Sequence, residues 1–386
     1  MNNARPMALR LLLPLLLLAV AALAAPHAAS AQTSYQSDAR AALVVDFDTD
    51  AVLFAKDADR RIPPASMSKI MTMYVVFEQI RAGKLALTDE LPVSRAAWQM
   101  GGSKMFVKVD TRVKVEDLIR GVIVQSGNDA CLVLAEGIAG SEEAFVKLMN
   151  ERARAIGLTD SNFANTTGWP HPDHYMSVRD LARLARRMIV DFPERYRVYS
   201  ERDFTFGGIK QGNRNPLLYR PVGADGLKTG HTEEAGYGLT ASAVRDGRRL
   251  IMVLAGLPSM RARAQESERL LEWSFREFEN YTLARAGQAV EAAEVWLGGA
   301  ATVPLHAGTD IKITIPRRSR DQIQAVAVYD GPIPAPIAAG QRVGTMEVRI
   351  GDRKLGEGPL VAGAAVDRRN VFGRLAAVVG HLVTGR

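Results

Sequence analysis

The sequence predicts an α+β protein: an antiparallel sheet covered by helices, followed by a small all-β domain and a C-terminal amphipathic helix. Three observations carry this. Strand-like runs stand at both ends of the first 280 or so residues, with helical runs between them. From there on the chain breaks into short β-type runs split by Gly and Pro, and at the extreme C-terminus a helical period returns. A chain of 386 residues is also too long for one ordinary core.

Residues 1–31 stand outside this fold. Arg5 and Arg10 precede the run "LLLPLLLLAVAALAA", and Ala29-Ser30-Ala31 matches a small-residue cleavage site. Positive, apolar, small is the order of a secretory signal peptide. The run is short for a retained membrane helix. No cysteine lies near the cleavage site, which argues against a lipid-anchored N-terminus. The expected mature chain begins near Gln32, and its first domain spans 32–279.

Within that domain, "AALVVDFDTDAVLFA" (41–55) reads as two strands around an Asp-Thr-Asp turn. Met67, Ile70, Met71, Tyr74, Phe77 and Ile80 then recur at helical spacing from about Ser66. Residues 114–157 read as mostly helical, interrupted at "QSGNDA", and "SVRDLARLARRMIV" is another helix. "GLKTGHT" and "YGLTASAVRDGRRLIMVLAGL" read as strands, the second a hairpin about Asp246-Gly247. "RARAQESERLLEWSFREFENY" closes the domain as a helix. The second domain, 280–365, carries no helical period. In 366–386, Val371, Phe372, Leu375, Val378, Val379, Leu382 and Val383 fall on one helical stripe, with Arg368, Arg369, Arg374 and Arg386 mainly off it. A basic amphipathic helix lying in a membrane surface is the expectation; a C-terminal helix packed on the β-domain is the plainer alternative. The segment is too short and interrupted to span a bilayer.

Composition excludes several classes. Apolar residues make up 47% and charged residues 24%, ordinary for a globular protein. The formal charge is +7, two units of which belong to Arg5 and Arg10. That excess is too small to argue for nucleic acid. Cys131 is the only cysteine, so no intramolecular disulfide forms, and its apolar setting suits a buried helix residue.

The chemistry-bearing candidates begin at "PPASMSK". Ser66 and Lys69 lie three apart, hence on one face of a helix. Serine needs a base beside it, and lysine can serve where burial or another cation lowers its pKa. A helix N-terminus can also stabilise an oxyanion. Alone this pair means little, because serine after Pro-Pro is a good helix cap. Two further stretches change its weight. "QSGNDA" sets Ser126 and Asn128 between helical runs, and "DGLKTGHT" sets Lys228, Thr229 and Gly230 on a strand. S-x-x-K, S-x-N and K-T-G in this chain order form the signature of serine β-lactamases and penicillin-binding proteins.

Together with "LIRGVIVQSGNDAC", "FTFGGIKQGNRNPLL" and "GLKTGHTEEAGYGLTASA", these motifs resemble the low-molecular-mass penicillin-binding proteins of the serine-type D-alanyl-D-alanine carboxypeptidase family. The resemblance covers essentially the whole mature chain, most specifically its first domain. It implies a β-lactamase/transpeptidase-like fold and removal of the terminal D-alanine from peptidoglycan stem pentapeptides, with β-lactams as covalent inhibitors and no cofactor or metal. It implies Ser66 as nucleophile, Lys69 as general base, Ser126 as proton relay and Asn128 as an orienting group. Lys228 would hold the charge pattern, and Thr229, Gly230 and His231 would line the substrate strand, with the N–H groups of Ser66 and His231 as oxyanion hole. Arg263, in "RARAQES", would take the substrate carboxylate, although Arg261 stands two places earlier. The resemblance also implies a periplasmic protein bound peripherally to the outer face of the inner membrane.

Rival functions remain distinguishable. A class A β-lactamase needs a Glu after the second motif; the corresponding "FANTTGWPHPDHYMS" has none, only Asp173. A DD-endopeptidase or a non-turnover penicillin or peptidoglycan sensor would share the motifs. His171 and His174 in "HPDH" are a weak zinc signal with no third ligand in sight.

Overall fold

The structure, a computed structural model, describes residues 35–371. The first domain is built on a five-stranded antiparallel sheet. Its strands are β1 (Ala41–Asp46), β2 (Val52–Lys56), β3 (Ala224–Thr232), β4 (Gly236–Arg245) and β5 (Arg248–Leu257), in the order β2-β1-β5-β4-β3. The two ends of the domain thus meet in one sheet, as the order of strand signals predicts. The β4–β5 hairpin turns at Asp246 and Gly247, both at positive φ, which suits the right-handed twist of the flanking strands.

The sheet is buried on both faces. Ile251, Val253 and Ala255 of β5 join the main core, while the intervening Leu250, Met252 and Leu254 are buried on the other side. The strands therefore read as continuous apolar runs rather than alternating ones. Between β2 and β3 lie α1 (Lys69–Arg81), α2 (Val115–Ile123), α3 (Asn128–Ala139), α4 (Glu142–Ala155) and α5 (Val178–Asp191). Helix α1 is the central post. Its first nine residues, Lys69 to Phe77, are all buried, so it lacks the polar face of a surface helix. Helix α6 (Met260–Glu277) covers β4 and β5.

Helix α6 ends earlier than its sequence period suggests: "FENY" belongs to β6 (Phe278–Ala284), which pairs with β9 (Ile311–Pro316). Strand pairing overrides the helical pattern there. The rest of the second domain is a six-stranded sheet. It comprises β7 (Ala289–Trp296), β8 (Thr302–Ala307), β10 (Gln324–Tyr329), β11 (Ile333–Pro334), β12 (Arg342–Ile350) and β13 (Arg353–Ala362), in the order β10-β12-β13-β8-β7-β11.

A buried carboxylate joins the domains. Asp46 accepts from the N–H groups of Asp48 and Thr49, from Asn280 Nδ2 at 3.1 Å, and from Arg248 Nε at 2.8 Å. Arg248 also donates to the Phe278 carbonyl at 2.7 Å, and Thr314 bonds both Asn280 and Thr49.

Residues 366–370, expected to open the amphipathic helix, are not helical. Val366 bridges Ile337 and Arg368 bridges Gly298, so they finish the β-domain. The remainder of that expected helix from Phe372 on, and the expected signal peptide, lie outside the described residues. Among the described residues no helix is long and apolar enough to cross a membrane.

Candidate active site

Ser66 lies in a 3-10 turn, Ala65–Ser68, that leads into α1. Ala65 before it has φ 49°, and Ser126 has φ 60°. A non-glycine residue in the left-handed region costs about 1 kcal/mol or more. Both strained residues serve to aim a serine hydroxyl. Ser66 does not cap the helix; its Oγ instead meets Lys69 Nζ at 2.8 Å.

Lys69 is fully buried and makes two more contacts, to Asn128 Oδ1 at 2.7 Å and to the Thr167 carbonyl at 2.7 Å. Burial lowers its pKa to about 8, helped by the positive charge of Arg214 and opposed by Asp129. Two of the three partners, both carbonyl oxygens, can only accept. A neutral Lys69 amine would keep two N–H donors for these and turn its lone pair to Ser66.

Ser126 stands at the break between α2 and α3. Its Oγ accepts from Lys228 Nζ at 2.9 Å, and Lys228 also donates to the Thr229 carbonyl at 3.2 Å. Lys228 is buried too, and its pKa lies well below the ordinary lysine value, first through burial and then through Lys69 and Arg214. Asn128 Nδ2 donates to the Gly101 carbonyl at 2.8 Å, and its N–H to Ser103 at 2.7 Å. The five residues come from three separate stretches and form two hydrogen-bonded sets, Ser66–Lys69–Asn128 and Ser126–Lys228, close enough for the charge of Lys69 to act on Lys228.

Close backbone approach makes this possible. Strand β3 passes the Ser66 turn at Gly230, where a Cβ would fall 2.7 Å from the Pro64 carbonyl oxygen. At Gly168, φ 82°, a Cβ would fall 2.0 Å from the Ala65 carbonyl oxygen. Both positions require glycine.

The cluster opens into a cleft of about 450 Å³ whose lining includes Ser66, Asn128, Trp169, His231 and Glu233. Among the described residues no other strand pairs with the edge of β3 away from β4. Thr229 is buried in β3, and the His231 ring stacks on Tyr237 at 3.8 Å. Arg263 is 4% exposed, in α6, whereas Arg261 is exposed. The Arg263 Nε has no partner, and one Nη donates to the Arg214 carbonyl at 3.4 Å. Among the described residues no carboxylate pairs with this buried guanidinium, whose pKa burial lowers to about 10. Such a group calls for an anion.

Several contributors escaped the sequence reading. Thr167 acts through its main-chain carbonyl, which no side-chain pattern reveals. Asp129, buried in α3, accepts from the N–H groups of Met105, Phe106, Val107 and Ala130 and so shapes the loop that presents Gly101 and Ser103. An acid in the apolar run after "SGN" was the available signal. Arg214 reaches Ser103 Oγ at 2.5 Å. Asp173 is exposed and bonds His171. His174 is buried, with Nδ1 accepting from the Ala164 N–H. Among the described residues no group of three His, Cys, Asp or Glu could hold a metal ion.

Comparison with known proteins agrees with this geometry. Residues 26–259 match the family model described as D-alanyl-D-alanine carboxypeptidase, and residues 278–368 match that of the penicillin-binding protein 5 C-terminal domain. The chain is 40% identical over 362 residues to the D-alanyl-D-alanine carboxypeptidase DacC of Escherichia coli, covering 91% of this chain and 90% of that one. Penicillin-binding protein 5 from Haemophilus influenzae superposes with a TM-score of 0.79 at 39% identity, over 87% of this chain and 99% of that one. Penicillin-binding protein D2 from Listeria monocytogenes in its ampicillin-bound form gives a TM-score of 0.58 at 29% identity, over 63% of this chain and 100% of that one.

Proposed function

The chain belongs to the D-alanyl-D-alanine carboxypeptidase family, and on that premise we propose that Ser66 carries out the reaction on peptidoglycan stem pentapeptides. The enzyme is a serine-type hydrolase of the terminal D-Ala-D-Ala bond. The observation that carries the assignment is the buried Lys69, bonded at once to Ser66, Asn128 and the Thr167 carbonyl. Lys69 in its neutral form takes the Ser66 proton as Oγ attacks the penultimate D-alanine carbonyl. The backbone N–H groups of Ser66 and His231 receive the developing oxyanion. Ser126, held by Lys228, passes a proton to the leaving D-alanine nitrogen. Asn128 keeps Lys69 oriented. Arg263 binds the terminal carboxylate, with Thr229 beside it. The peptide lies extended along the free edge of β3, past Gly230. Water then hydrolyses the acyl-enzyme, and a β-lactam forms the same ester but leaves it slowly.

Mass spectrometry of protein lacking residues 1–31, treated with a fluorescent penicillin and separately with diacetyl-Lys-D-Ala-D-Ala, tests this. An adduct on Ser66 together with free D-alanine is expected. An adduct without D-alanine release would replace the carboxypeptidase with a sensor or an endopeptidase.

The site of action follows from the termini: export by residues 1–31 to the periplasm, and peripheral attachment to the inner membrane by the basic, apolar-striped tail. Because residues 366 and 368 pair within the β-domain, truncation after Val371 is the clean test. The truncated protein should leave the membrane fraction and still hydrolyse soluble peptide; retention after a salt wash would sink the anchor.

A further inference from the structure

The cleft is charged differently at its two ends. At one end Ser103 of the lining bonds Arg214, and behind the lining Arg263 donates to the Arg214 carbonyl. At the other, Glu233 follows directly after β3, in the turn to β4. It is exposed and lines the cleft with Ser66, and among the described residues no hydrogen bond or ion pair engages its carboxylate. Thr229 and Glu233 are four residues apart, roughly 13 Å along an extended strand. Trp169, 49% exposed, contributes an apolar surface to the same cleft.

This inference rests on the carboxypeptidase reading above. With the D-alanine carboxylate at Arg263 and the scissile carbonyl at His231, an antiparallel peptide sets its third residue beside Thr232 and Glu233. We propose that Glu233 is a specificity-determining residue for a stem peptide whose third residue carries a side-chain ammonium on an aliphatic arm. The arm lies over Trp169, and the ammonium meets the carboxylate. The opposed charges at the two ends of the cleft then fix both the direction and the register of the peptide on β3.

The test compares kcat/KM for pentapeptides with lysine, Nε-acetyl-lysine or diaminopimelate at the third position. The wild-type protein should favour lysine over acetyl-lysine by about fivefold, as a partly exposed ion pair allows. That ratio should fall to about one in Glu233→Gln, invert in Glu233→Lys and return in Glu233→Asp. A ratio taken within each variant does not depend on how much enzyme is folded. A diaminopimelyl peptide at least as good as the lysyl one assigns the natural stem to the diaminopimelate class, and a poorer one assigns it to lysine. Equal rates for lysine and acetyl-lysine, or a lysine preference that survives Glu233→Gln, would overturn the proposal while leaving the carboxypeptidase intact. No D-alanine release from any peptide would instead remove the reading beneath it.

Discussion

The two domains treat charge in opposite ways. The first buries Lys69, Lys228, Arg263, Asp46, Asp129, Asp180 and Glu266. In the second, among the described residues from 278 on, Thr314 alone is a buried polar residue, and ion pairs such as Arg349–Glu347–Lys354–Glu357 stay at the surface. A buried charge is costly unless it is paired and fully hydrogen-bonded. A domain that only needs to fold avoids it, as the second does. The first tolerates it at the site, where burial lowers the pKa of both Lys69 and Lys228 and the charge of Lys69 lowers that of Lys228 further. The placement of buried charge thus separates the chemical domain from its companion.

Four measurements would break or sharpen that contrast. Replacing Lys69 by Met, close to it in volume, should cut acylation of Ser66 about a thousandfold or more, while circular dichroism shows the fold kept. Near-normal penicillin labelling of that variant at neutral pH would remove Lys69 as the base. Arg263→Ala should lower kcat/KM for the free-acid peptide by about a hundredfold, the scale of a lost bidentate charged contact. It should hardly affect the C-terminal amide, which lacks the charge that Arg263 would bind; an equal loss on both would assign Arg263 to packing instead. The pH profile of acylation comes next in size. Only the neutral amine accepts a proton, so the rate should fall by about tenfold per pH unit below about 8 and level off above it. Lys69 and Lys228 interact, so the measured midpoint belongs to the pair. A flat profile between pH 6 and 9 would contradict it. The smallest effect is expected in the second domain. Thr314→Val removes contacts to Asn280 and Thr49, and should cost about 1 kcal/mol of stability in denaturant without changing kcat/KM. A change in turnover would mean that the joint communicates with the cleft.

What could be read beforehand follows the same division. The five side chains of the cluster were legible because each lies in a short motif whose residue types carry the chemistry. Sheet strands and the hairpin at Asp246-Gly247 were legible because turn chemistry and apolar runs agree there. Helix α6 was drawn too long because "EFENY" keeps a helical composition although β9 captures it as a strand. The hairpin of Asp203–Phe206 and Ile209–Gly212 was too short to detect: Phe204 and Phe206 alternate with polar residues over only four positions, and no residue of either strand is fully buried. The reach of Arg214 to Ser103, and of Asp129 to the 105–107 amides, spans long sequence separations and needs the folded chain to be seen.

The hold on Lys69 by Thr167 has a consequence for how this site can drift over generations. That contact is made by a peptide carbonyl, which every residue presents alike. The side chain at 167 matters to the lysine only indirectly: its buried hydroxyl bonds Asn165 Oδ1 and accepts from the Trp169 N–H, which holds the turn that presents the carbonyl. The stricter constraint falls on the next residue, since only glycine fits against the Ala65 carbonyl at 168. A substitution survey would find serine, which keeps the hydroxyl, accepted at the position that makes the contact, and nothing but glycine accepted at the neighbour.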